Sequence, residues 1–247
     1  MKRVISACFV LIMVAVTGVA QKAKPWTEWT KKDVDKTLND SAWGQTQSEG
    51  SAASSASQQS SAITSTGAAK SESTNMAAAG RVESGQAKPS TLVKYHVSFL
   101  SAKPVRAAFA RKVLLGQTQP NEELANQLQA FVDRSFADYI VVTVALEVED
   151  QKMAGPLVRM FGSATTEALQ KSVYLERKDG KKLFLMEYRA PTGDGMGAKF
   201  IFQRVVEGQP FLAENDNVKF VAELNEKMKL NTRYKLSDML YDGKLEY

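Results

Sequence analysis

Apolar and polar residues alternate in two long segments of the C-terminal part of the chain. In TLVKYHVSFLS (residues 91–101) and in DYIVVTVALEVED (138–150) nearly every second residue is apolar. A period of two residues is typical of a β-strand with one buried face. In the second segment Val141 and Ala145 make the other face partly apolar too. We therefore expect residues 138–150 to form a central strand.

The residues between these two strands have the helical period instead. KPVRAAFARKVLLG opens with Lys103-Pro104 and ends at Gly116, and Val105, Phe109 and Val113 fall on one stripe. TQPNEELANQLQAFVDRSF, which follows directly, repeats its apolar residues at helical spacing and carries two glutamates in its first turn. The pattern predicts two consecutive helices inserted after the first strand.

The remainder of the chain predicts one more helix over 157–170 and a series of short strands. SVYLERKDGKKLFLMEYRAP (172–191) reads as a hairpin, because Asp179-Gly180 is a preferred two-residue turn. A loop of that length would place Leu175 opposite Phe184 and Val173 opposite Met186, on one face. Residues 91–247 are thus predicted to form one α+β domain, built on an antiparallel β-sheet or β-sandwich.

Residues 48–90 lack this pattern altogether. They consist mostly of Ser, Ala, Gly, Thr and Gln and contain no aromatic residue. Such a segment buries too little apolar surface to offset the entropy of ordering its backbone. It is predicted to be a disordered linker.

Residues 21–47, ahead of that linker, predict a short helix. Thr30 is a good N-cap, and Asp33 stands at the capping-box position three residues later. Val34 and Leu38 lie four residues apart on one face, and Trp29 precedes the cap as a hydrophobic staple would. A helix of two to three turns is marginal by itself in water. It must therefore pack on an apolar surface.

All three tryptophans of the chain lie in this Trp-rich helical motif, within eighteen residues. Exposed indoles would be a liability, so they should be buried against something. That surface is either the chain's own domain or a protein partner. The predicted interaction residues are Trp26, Trp29, Val34, Leu38 and Trp43.

The same segment carries a family resemblance. The chain resembles a group of uncharacterised exported bacterial proteins in which a signal peptide is followed by a KPWxxWxxxDxxxxLxxSxW block. Here the block consists of Lys24, Pro25, Trp26, Trp29, Asp33, Leu38, Ser41 and Trp43. Its WTKKD part is distantly similar to the start of proteins named for a GWxTD domain. The resemblance implies no known activity.

Residues 1–20 read as a secretory signal peptide. Lys2 and Arg3 precede an apolar run from Val4 to Val16, and small residues follow it. The run is short for a membrane span, and nothing later is apolar enough to be an anchor. We expect a periplasmic or secreted protein with no integral membrane segment after cleavage. Cys8, the only cysteine, would be removed with this peptide.

Composition and charge exclude several functions. Without Lys2 and Arg3 the formal charge falls from +5 to +3, and no basic run suggests nucleic-acid binding. His96 is the only histidine, so neither a zinc site nor a Ser-His-Asp triad is expected. The glycines of PTGDGMGAKF lead into a strand, which suits a connection and not a phosphate loop. No catalytic, metal or cofactor residue is assigned, and no cofactor is expected.

These observations predict an exported, non-catalytic interaction module of the cell envelope or the medium. The alternative is a hydrolase that acts on a carbohydrate or envelope polymer through a pair of carboxylates distant in sequence. The candidates for such a pair are Glu147, Glu149, Asp150, Glu187 and Asp238.

Overall fold

A computed structural model describes residues 24–50, 92–119, 121–149, 151–226 and 228–247. The predicted signal peptide lies outside the described residues, and so does the predicted linker from residue 51 onwards. Within the described part, helices combine with strands that all pair in antiparallel fashion. The predicted α+β class with antiparallel sheets is confirmed.

The bounds of the elements are as follows. The helices are α1 Lys31–Asn39, α2 Lys103–Leu115, α3 Glu122–Asp133, α4 Gln151–Ser163 and α5 Thr166–Leu169, with 3-10 turns at Trp26–Glu28 and Leu236–Asp238. The strands are β1 Gly44–Gly50, β2 Leu92–Phe99, β3 Tyr139–Val148, β4 Val173–Arg177, β5 Lys182–Phe184, β6 Glu187–Arg189, β7 Ala198–Gln203, β8 Val205–Val206, β9 Gln209–Pro210, β10 Asn217–Asn225, β11 Met228–Lys235, β12 Leu240–Tyr241 and β13 Lys244–Leu245.

Two larger sheets enclose one apolar core. The first has the strand order β1-β2-β3-β7-β6, with β3 in the centre as predicted, and the second has the order β11-β10-β4-β5. Phe200 packs edge-on against Phe220 across the two sheets, with ring centroids 5.5 Å apart, and Phe99 packs in the same way against Tyr234 at 4.8 Å. The architecture is therefore a sandwich.

Side chains of β1 join the two sheets along one side. The Gln47 amide donates to the Lys229 carbonyl (2.9 Å) and accepts from the Asn231 N–H (2.8 Å), while Gln45 donates to the Arg233 carbonyl. These β11 groups face β1 along the edge of the second sheet. The glutamine amides thus replace the backbone partners of a further strand.

The chain itself crosses between the sheets on the opposite side. Directly after β5, the Leu185 N–H donates to the Val173 carbonyl of β4, whereas the next N–H, of Met186, donates to the Ile201 carbonyl of β7. Adjacent residues thus pair with different sheets. The sandwich is linked along both of its sides.

We expect Gln47→Ala to lower the free energy of unfolding by about 1–3 kcal/mol, since it removes two hydrogen bonds and leaves edge groups of β11 without a partner. Urea denaturation of the full chain measures this. Ser48→Ala is the control, because Ser48 is the next residue of β1 and is exposed. Equal losses for both variants would contradict the role of the glutamine amides.

The two helices after β2 are found as predicted. The first two turns of α2 are buried, and its N-cap Ala102 offers no side-chain acceptor. The Glu246 carboxylate takes that place by accepting from the Lys103 N–H at 3.0 Å. The predicted stripe fails only at its end, where Val113 is 39% exposed because burial of α2 stops at Ala110.

The predicted hairpin exists, but its register is wrong by one residue. Leu175 pairs with Leu183, and Tyr174 pairs with Phe184. Asp179 does not adopt the positive φ that a type I′ turn needs at both central residues; only Gly180 does. The Arg177 N–H bonds the Lys181 carbonyl around a three-residue loop. Phe184 and Met186 are exposed, unlike the buried Val173 and Leu175.

The helix predicted over 157–170 also needs correction. The first helix, α4, begins earlier, at Gln151, and contains Pro156 within it. The second, α5, begins after Thr165, whose side chain accepts from the Ala168 N–H at 3.3 Å and caps it. A threonine that can cap a new helix thus follows the end of α4 and starts a separate short one.

Candidate functional site

The N-terminal helix has the predicted capping box. The Thr30 side chain accepts from the Asp33 N–H (3.2 Å), and the Asp33 carboxylate accepts from the Thr30 N–H (2.8 Å). The hydrogen bonds from Thr30 hold the pKa of Asp33 below its ordinary value. Val34 and Leu38 are buried in the main core. This helix therefore packs on the chain's own domain.

The three tryptophans also face that domain. Trp26 is only 9% exposed and packs with residues of α2 and α3. The Trp29 carbonyl accepts from the Arg111 guanidinium of α2 at 2.7 Å, and the Trp43 indole donates to the Glu246 carbonyl at 2.8 Å. These indoles serve the packing of the domain and are not exposed anchors.

The segment continues as β1, which pairs with β2 over its whole length up to Gly50 opposite Leu92. The predicted boundary between motif and linker at residue 47 is therefore three residues too early. Ser48 and Glu49 are both polar, so no alternation of apolar residues indicates a strand here. β1 is held instead by backbone pairing and by its polar side chains. Both residues take part in the sheet because they pair with β2.

A different part of the surface forms a depression lined by both apolar and charged residues, which we call the β3–β7 groove. It is a depression of about 370 Å³ between the end of α3 and the outer face of the first sheet. Its apolar lining residues are Leu100, Phe131, Phe136, Tyr139, Val141, Met186, Met196 and Ile201. Tyr139 and Met186 are 44% and 40% exposed, so the apolar surface is open to solvent.

Charged side chains surround this apolar lining, namely Arg134, Glu187, Arg189 and Lys199. The Arg189 guanidinium donates to Glu187 at 2.7 Å, which raises the pKa of Arg189. Lys199 pairs with Asp194 at 2.6 Å. The Arg134 guanidinium lies over the Phe136 ring, 5.7 Å from its centroid. Three cations and one acid therefore line the groove.

The glycine-rich loop carries Met196 to the groove and connects two strands, as predicted. Gly197 needs its positive φ of 80°, and a Cβ there would lie 2.1 Å from the Val144 carbonyl oxygen. The Asp194 carboxylate accepts from the Met196 N–H (3.0 Å) and from Lys199. Partial burial opposes ionisation of Asp194, but these hydrogen bonds hold its pKa below the ordinary value.

His96 is a hydrogen-bonded residue of β2. Its Nδ1 lies 3.0 Å from the Thr46 hydroxyl of β1, and its Nε2 lies 3.0 Å from Glu147. Glu147 also accepts from Lys94 at 2.7 Å. The hydrogen bonds from Lys94 and then from His96 lower the pKa of Glu147.

The other candidate carboxylates are distributed as follows. Glu187 pairs with Arg189 at the groove, and Asp238 pairs with Lys235 at 2.9 Å. Glu149 is exposed, and Asp150 lies outside the described residues. In the described ranges, no group of three or more His, Cys, Asp or Glu side chains is placed to hold a metal ion.

A larger, more open depression lies at the loop between α2 and α3, lined by Gln117, Thr118, Gln119, Asn121 and Glu122. Its lining is polar and comes from one continuous loop. It offers no apolar floor and no converging charged groups, so the β3–β7 groove is the stronger candidate.

Comparison of the chain with protein-family models, with curated proteins and with solved structures gives no match. The resemblance to exported proteins with the Lys-Pro-Trp block stays a prediction. Among the residues that the structure describes, no helix is both long and apolar enough to cross a bilayer.

Sequence reasoning did not find the groove, although one signal of it was present. Val141 lies on the outer face of β3, and Ile201 breaks the alternation of β7 between Phe200 and Phe202. Apolar residues on both faces of a strand show that both faces are covered. The tertiary structure decides which residues cover the outer face. It also leaves the opening beside Tyr139.

Proposed function

We propose that the chain is an exported, non-catalytic interaction module of the cell envelope or the surrounding medium, and that the β3–β7 groove is its binding surface. The observation that carries this proposal is the combination of the exposed apolar side chains of Tyr139 and Met186 with three cationic side chains in one depression. Concave apolar sites with a few charged groups are typical of ligand recognition. The Trp-rich segment completes the domain and leaves the groove as the recognition surface.

The shifted pKa values give no support to the hydrolase alternative. A glycosidase needs a carboxyl group that stays protonated near neutral pH, which requires a raised pKa. In the described part of the chain, every carboxyl group with a shifted pKa is shifted downwards: Asp33, Asp133, Glu147, Asp179, Asp194, Glu223 and Asp238. None of these groups is suited to act as a general acid.

Photocrosslinking from the groove tests the proposal. The predicted mature chain contains no cysteine, so Tyr139→Cys provides a single attachment point for a benzophenone maleimide. After incubation with an envelope preparation and illumination, we expect a discrete adduct by mass spectrometry. Arg134→Glu, introduced into the same variant, should reduce the adduct at least tenfold because it reverses a charge at the rim.

The matched control attaches the same label at Arg233→Cys. Arg233 is exposed on β11, in the other sheet and away from the groove. We expect no discrete adduct from this position. Equal labelling from positions 139 and 233, or an adduct that Arg134→Glu leaves unchanged, would refute the groove as the binding surface.

A further inference from the structure

The chemistry of the β3–β7 groove indicates the kind of ligand that it accepts. We propose that it binds a small alkyl carboxylate, of which a medium-chain fatty acid is the simplest member. This assignment rests on the proposed function, since it names the ligand of the same groove.

The apolar lining of the groove favours a ligand with an apolar chain. The apolar surface that a ligand can cover belongs mainly to Tyr139 and Met186, which are 44% and 40% exposed. Leu100, Val141 and Ile201 also line the groove but are already buried. Burial of hydrocarbon against this surface is favourable by about 25 cal/mol for each Å² removed from water. The thioether of Met186 is unbranched and adapts to flexible chains. A wholly polar ligand would gain nothing from this floor.

The charges at the rim require a single anionic group. Arg189 is paired with Glu187, and Lys199 is paired with Asp194. Within the described residues, no carboxylate lies within ion-pair distance of the Arg134 guanidinium. One positive charge is therefore left uncompensated. A guanidinium binds a carboxylate through two parallel hydrogen bonds, so a monocarboxylate complements Arg134 in both charge and shape.

A hydrocarbon fits this groove better than a peptide does. A peptide added to the sheet at β6 would need free backbone groups, but the Tyr188 N–H donates to the Thr166 hydroxyl at 3.0 Å. The Met186 N–H is likewise bonded, to the Ile201 carbonyl. Amide groups of a peptide would enter an apolar floor without partners, which is costly. The volume of about 370 Å³ also suits a small ligand.

Calorimetry of the full mature chain with octanoate and with octan-1-ol tests this assignment. We expect octanoate to bind at least tenfold more tightly than octan-1-ol, which has the same chain without the charge. Arg134→Met should weaken octanoate at least tenfold and leave octan-1-ol unchanged, because it removes a charge-assisted hydrogen bond. Met186→Gln should weaken both ligands. Arg233→Met, the control, should change neither.

The assignment would be overturned if the wild-type chain bound the two ligands with equal affinity. It would also be overturned if the Arg134→Met variant bound octanoate as tightly as the wild-type chain does. If octanoate fails to bind while the crosslink from position 139 persists, the ligand class is wrong and the proposed function stands. If both fail, the groove is not a binding site.

Discussion

Removal of residues 24–50 from the chain that lacks its predicted signal peptide is expected to abolish cooperative folding. The deletion exposes the core that Val34 and Leu38 cover, and it removes Trp26 from the cluster with α2 and α3. Each buried side chain of this size contributes about 1.5–3 kcal/mol, and the loss of β1 adds to this, against a typical stability of about 5–15 kcal/mol. The deletion also leaves the edges of β2 and β11 open, so aggregation is expected.

The measurements are soluble yield, and thermal unfolding followed by circular dichroism. The control is deletion of residues 55–81, which has the same length but falls in the predicted linker. Because Gly50 and Leu92 are directly paired, a much shorter loop can still join them. A shorter loop has a smaller closure entropy, so this control should be more stable by about 1 kcal/mol.

A single substitution keeps the test informative if the deleted chain yields no protein. Leu38→Ala should lower the free energy of unfolding by about 2–5 kcal/mol, as expected for a buried leucine. If Leu38→Ala or the N-terminal deletion left the midpoint of cooperative unfolding unchanged, the segment would not stabilise the domain.

Arg204→Met is expected to lower the free energy of unfolding by about 1–3 kcal/mol. The Arg204 guanidinium donates to the Phe136 carbonyl (2.9 Å) and to the main-chain oxygen of Tyr247, and it lies 4.2 Å from the centroid of the Tyr247 ring. Burial lowers the pKa of Arg204, yet an arginine stays charged at neutral pH. Its removal leaves half-buried carbonyl groups without this donor.

Urea denaturation measures this loss, with the neighbouring Gln203→Ala as the control. Gln203 is exposed at the end of β7, so its truncation should change stability by less than about 0.5 kcal/mol. Arg204→Lys should fall between the two, because an ammonium cannot reproduce the fork of donors. A midpoint of Arg204→Met equal to that of the control would contradict the structural role of this guanidinium.

Arg204 also supports the groove. Phe136 and Tyr139 both line it, and the carbonyl groups of both accept from Arg204. In Arg204→Lys, which should still fold, we therefore expect weaker octanoate binding. Stability and recognition are thus coupled through one half-buried side chain.

The sequence by itself determined those elements whose signals are local. Alternation identified β2 and the central β3, Thr30 and Asp33 identified the start of α1, and Pro104 with Gly116 bounded α2. Each of these signals depends on neighbouring residues and on a backbone period that the sequence displays directly. The sequence alone also predicted that the Trp-rich helix must pack on an apolar surface, since a short helix is marginally stable by itself.

Only the tertiary structure decided which surface that helix meets and where another molecule can bind. Glu246 caps α2 and holds Trp43, and Gln47 completes the edge of β11, through contacts between residues far apart in the chain. The β3–β7 groove likewise combines Arg134 with strands that no periodicity links to it. Such contacts depend on how the elements pack, and a polar side chain in the sequence does not reveal its distant partner.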